Sequence, residues 1–180
     1  TGGTTIQAGT LVLGSGAALV GTDSIEVASG ATLDSLAPAT LQLASGVTLT
    51  GNGLVRANIL ELGPGSALRG TLQVRGNVLN SGLVAPGFSP EIITIVGDYL
   101  QETDGVLELE VGRATPGTEH DLLIVTGDAG LAGRIDVPLI DGYVHVANDE
   151  IQILIAGSIV DNNVVTDEFF DSVFIPDLAR

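Results

Sequence analysis

Residues 25–33 read IEVASGATL and residues 41–49 read LQLASGVTL, and this pair of copies decides the fold. Each has two apolar residues separated by one, then two small or polar residues, a glycine, and a leucine three places on. Side chains alternate across a strand, so Ile25 and Val27 point one way and Glu26 the other. The glycine permits a corner with positive φ, after which Leu33 or Leu49 turns back inside. Outward from this pair the pattern recurs as LVLGSGAAL at 11–19 and LELGPGSAL at 60–68, with successive starts 14, 16 and 19 residues apart. Looser copies are LQVRGNVLNSG from Leu72 and ITIVGDYLQETDG from Ile93.

A coil of about 14 to 21 residues cannot bury its own apolar face, whereas stacked coils share one continuous core. Parallel strands about 4.8 Å apart would then pair their backbones from coil to coil. The expected fold is all-β: a right-handed parallel β-helix of about eight to ten coils with an irregular C-terminal cap. Leu13, Leu33, Leu49, Leu62 and Leu68 are its expected core. Phe169, Phe170 and Phe174 suit a cap over the last coil, or a docking patch for a neighbouring domain. A helical reading fails on 25 glycines and 7 prolines and on the lack of 3.6-residue periodicity. A β-sandwich is the alternative for the second half.

The charge bounds the partners. Twenty-two acidic residues face six basic ones, all arginine, for a net of -16 over 180 residues. Such a chain repels phosphate backbones and anionic bilayers, which argues against nucleic-acid or membrane-surface binding. The charge is also lopsided. Residues 1–90 carry four acids and three arginines, and residues 91–180 carry eighteen acids, three arginines and five of the six aromatics. Two sections follow: regular coils with glycine corners over 1–90, then acidic distal coils and the cap over 91–180. Cysteine is absent, which excludes disulfides and thiolate metal sites. No run approaches the roughly 20 apolar residues of a spanning helix, and no signal peptide is visible. The chain begins in mid-pattern and reads as a piece of a longer exported protein.

Chemistry, if present, belongs to the acidic half. Glu108 and Glu110 alternate with Leu107, Leu109 and Val111, so both carboxylates face outward, and Asp136 holds the matching place in RIDVPL. Stacked carboxylates repel, so a calcium ion at Glu108, Glu110 and Asp136 competes with a plain solvated face. No segment has the regular spacing of a dedicated calcium loop. Glu102, Asp104, Glu108 and Glu110 are also the available pairs for glycoside hydrolysis. The missing lysine and tryptophan speak against a polysaccharide enzyme, and no catalytic residue is assigned. Asp121 reads as a cap on the turn entering a strand at Leu122–Val125. His145 falls in the alternating run from Tyr143 to Val146 and is expected beside Tyr143 on a strand.

Residues 1–13, TGGTTIQAGTLVL, resemble the passenger-associated transport repeat, also called the autotransporter-associated β-strand repeat. IEVASGATLDS is similar to the segment that follows it in that family. LVAPGFSPEIITIVGDYLQETDGVLELEVG, HDLLIVTGDAGLAGRIDV and DGYVHVANDEIQIL look like the distal part of such passengers. The chain departs from the family pattern at Glu91, where a glycine is usual, and at His120, where a tyrosine is usual. The resemblance implies a β-helical passenger segment of a secreted or outer-membrane-anchored bacterial surface protein. It implies neighbouring passenger repeats and a separate C-terminal anchor domain as partners, and a role in passenger folding and secretion. The expected function is therefore structural and non-enzymatic, with a surface glycan as a further partner. A carbohydrate-binding or carbohydrate-active β-helix domain is the alternative, which an acid-lined groove would favour.

Overall fold

Small residues at corners and apolar residues at alternate strand positions wind the chain through three faces in turn. The computed structural model describes residues 2–14, 19, 21–36, 38–87, 90–144 and 150–162, with the backbone alone at 165–166. Face one is an eight-stranded sheet of β1 (Gly2–Ile6), β3 (Thr22–Val27), β6 (Thr48–Gly51), β8 (Ala67–Arg69), β10 (Leu83–Ala85), β13 (Val106–Glu108), β16 (Arg134–Asp136) and β19 (Val165–Thr166). Neighbours in that order are parallel throughout. Face two stacks β2 (Thr10–Val12), β4 (Thr32–Asp34), the first parts of β7 (Leu54–Leu62) and β9 (Gln73–Asn80), then β11 (Ile92–Val96), β14 (Leu122–Val125) and β17 (Leu154–Ile155). Face three stacks β5 (Thr40–Leu43), the later parts of β7 and β9, then β12 (Tyr99–Gln101), β15 (Asp128–Leu131) and β18 (Ser158–Asp161). This is a parallel β-helix. All-parallel pairing excludes the sandwich for the second half, and the sheets run without a break from residues 1–90 into the distal coils.

Inward residues form columns that climb the helix. Ile25, Leu49, Leu68, Val84, Leu107 and Ile135 stand in register on face one, and all are buried. Leu33, Val55, Val74, Ile95 and Val125 do the same on face two. Each buried leucine or isoleucine contributes about 1.5 to 3 kcal/mol relative to exposure, so the columns are the main source of cohesion. Leu13, Leu33, Leu49, Leu62 and Leu68 are all buried as expected.

The nine-residue pattern, however, is a corner and not a coil. Ile25–Leu33 carries the chain from face one to face two through Gly30, at φ 75°. Leu41–Leu49 carries it from face three to face one through Gly46, at φ 81°. Both corners lie within one coil, because Ile25 stacks on Leu49, 24 residues ahead. Any corner that leaves a two-residue apolar alternation and re-enters on a leucine needs the same local chemistry, so the sequence repeats faster than the structure does.

The corner between faces two and three is tightest. Gly76, Gly97, Gly127 and Gly157 stack there, and a Cβ on Gly76 would overlap the Ala57 carbonyl oxygen one coil back. Asn77 and Asp98 accept the amides of Asp98 and Asp128 one coil ahead, at 2.9 and 3.0 Å. Phe169, Phe170 and Phe174, proposed as the cap, lie outside the described residues.

Candidate functional site

The acidic face is built by register. Glu108 and Asp136 are direct partners on stacked strands, with Leu107 and Ile135 inward between the coils. Each carboxylate has an arginine beside it. Arg134 lies 2.8 Å from Asp136, and Arg69 lies 3.9 Å from Glu108. Glu110 also points outward but sits beyond the strand, and Asp121 Oδ2 accepts its backbone amide at 2.9 Å. Among the described residues no three His, Asp or Glu side chains converge as a metal site. Glu108, Asp136, Asp104 and Arg134 line an open concavity of about 410 Å³ on face one. Glu102 is elsewhere occupied, accepting the Ser81 hydroxyl.

Asp121 does more than cap a turn. Its Oδ1 accepts the Glu91 amide at 2.8 Å and its Oδ2 the Glu110 amide, so one carboxylate staples β11 of one coil to the segment after β13 of the next. The side chain is buried, and burial pushes its pKa up to about 6 against the opposing pull of those two amides. His120, also buried, faces two backbone carbonyls: Nδ1 lies 2.8 Å from Arg113 O and Nε2 3.2 Å from Gln152 O. A neutral imidazole donates to only one of two carbonyls. His120 pins the 109–121 excursion to the coil beyond it. Tyr143 lies not on a strand but after a turn in which Asp141 and Gly142 both take positive φ. The Asp-Gly pair suits that turn and breaks the alternation. His145 lies outside the described residues.

Sequence reading missed a connected group of buried polar side chains. On face three the inward column runs Leu43, Leu62, Asn80, Gln101, so two leucines give way to two buried amides. Asn80 donates to the Tyr99 hydroxyl at 2.9 Å and to Val106 O at 3.1 Å, and accepts from Gly82 N at 3.0 Å. Tyr99 donates in turn to Gln101 Oε1 at 2.8 Å, and Gln101 Nε2 reaches Ala132 O and Arg134 O. Burial drives the Tyr99 hydroxyl far above its ordinary pKa, so it stays protonated and able to donate. The available signal was Asn80 and Gln101 at the inward place of an otherwise apolar alternation. These groups are all satisfied internally, and the network ties coils together without opening a site.

No family model matches the chain, and neither a curated protein nor a solved structure matches it.

Proposed function

We propose that the chain is a structural stalk segment of an exported bacterial surface protein, continuous with neighbouring repeats and held by an anchor domain outside this sequence. The observation that supports the reading is the unbroken coil-to-coil pairing of all three faces. Every described coil is joined to the next by parallel ladders and by inward columns, so load and order pass from end to end. The resemblance of residues 1–13 to the autotransporter-associated β-strand repeat supports export. Stacking from one end suits a chain that folds as it emerges, and the distal coils supply the directional bonds to start it.

The test is surface display. The chain is placed between a reporter and an outer-membrane anchor, and the reporter is counted on intact cells. A charge at the core, Leu62→Asp, is expected to lower surface reporter severalfold while the anchor still inserts. Undiminished display by that variant would refute a role for stalk folding in export.

A further inference from the structure

We propose that the concavity at the corner between faces two and three binds the carboxylate of an acidic sugar through Arg56 and Arg75. The two arginines are register partners on stacked strands, so their Cα atoms lie about one strand spacing apart, about 4.8 Å. Like charges set directly opposite one another destabilise a sheet, and only six basic residues exist to be placed. The chain nevertheless stacks two of them. Their charge is poorly answered from within. Asp34 lies 3.9 Å from Arg56, beyond hydrogen-bond distance, and its Oδ1 is already taken by the Leu36 amide at 2.9 Å. Arg75 gives its Nε–H to Gln73 at 3.2 Å, and among the described residues no carboxylate pairs with its two terminal nitrogens.

The surroundings fit a sugar better than a bare ion. The concavity measures about 480 Å³, far more than a carboxylate fills. Asn58 and Asn77 line it beside the arginines; Asn77 Oδ1 is spent on the Asp98 amide, so its NH₂ remains as a donor for ring hydroxyls. Leu36 forms an apolar rim, half exposed and held at φ 45°, a conformation that a branched side chain rarely adopts. Planar guanidinium groups match a carboxylate in a bidentate fork. Location favours it too, since residues 1–90 are nearly neutral whereas the distal half would repel an anion.

The experiment titrates the whole chain with glucuronate, glucose and acetate while following the Arg Nε–H and Asn side-chain amide resonances. Glucuronate is expected to move the signals of Arg56, Arg75 and Asn77, glucose to leave them, and acetate to bind at least about tenfold more weakly. Arg75→Gln should weaken glucuronate about tenfold or more, with unchanged Val55 and Val74 amide shifts reporting an intact fold. Arg113→Gln, on the other excursion, should bind as the parent does. Unmoved signals with glucuronate overturn the site. Equal affinity for acetate and glucuronate overturns the sugar and leaves only an anion contact.

Discussion

The inward column of face three is leucine at Leu43 and Leu62, amide at Asn80 and Gln101, and leucine again at Leu131. Leu43 and Leu62 touch their neighbours without direction, and any chain of similar volume would do. Asn80 and Gln101 instead bind named backbone carbonyls, Val106 O, Ala132 O and Arg134 O, each about one rung beyond the face-one strand that the chain enters next. Coil length does not decide the kind of rung, since the step from Ile25 to Leu49 takes 24 residues past Leu43 and the step from Val84 to Leu107 takes 23 past Gln101. What the amides add is direction: a one-residue slip would leave several polar groups unpaired, so they fix where the later coils resume on face one.

The sharpest way to break the comparison is to exchange the two kinds of rung. Leu62→Ala should cost about 2 to 5 kcal/mol in urea unfolding, through lost transfer energy and a cavity. Asn80→Leu continues the apolar column yet takes the side-chain partner from Val106 O and Gly82 N and one of two bonds from the Tyr99 hydroxyl, and should cost about 2 to 4 kcal/mol. An Asn80→Leu protein as stable as the parent would mean that the amides add nothing to cohesion.

The second contrast is with pH. Asp121 has a folded pKa raised to about 6, above its unfolded value of 3.8, so the folded state holds the proton more tightly. Its contribution is therefore full below about pH 4 and is lost as pH rises through 6, a change of about 2 to 3 kcal/mol. Urea midpoints from pH 4 to 7 at fixed ionic strength should fall with rising pH, and Asp121→Asn should flatten that slope. An unaltered slope in the variant would assign the effect to general charge repulsion.

The smallest effect is expected at the acidic face. Glu108→Gln should change stability by less than about 1 kcal/mol, since its arginine partner is distant and the group is partly solvated. Added NaCl should stabilise the chain modestly by screening, and CaCl₂ at equal ionic strength should do no more. Stabilisation by millimolar calcium well beyond that would support a metal site at Glu108, Glu110 and Asp136.

Strand alternation and glycine corners made the stacked fold and its leucine core readable, because both are local signals with fixed periods. The coil length was misread because one corner motif serves two corners. Ile25–Leu33 and Leu41–Leu49 look like successive turns but belong to one. The register of Glu108 with Asp136 was legible from the outward alternation, whereas the bond from the Glu110 amide to Asp121 was not. The buried amides and the two-coil reach of Asp121 depend on partners up to 33 positions away, beyond any local pattern.

The tight and loose corners divide the molecule by its tolerance of new sequence. Between faces two and three the later coils turn within two residues, at 97–98, 126–127 and 156–157. Between faces one and two the connection lengthens from 52–53 through 86–91 and 109–121 to 137–153, while the columns on either side stay in step. Most growth of the later coils leaves through that one seam. A foreign peptide or a small folded insert spliced at 114–118 would ride outside the core and cost chiefly loop closure, which rises slowly with length. The solenoid is thus a rack with a single open side, on which cargo can be hung without rebuilding the shelves.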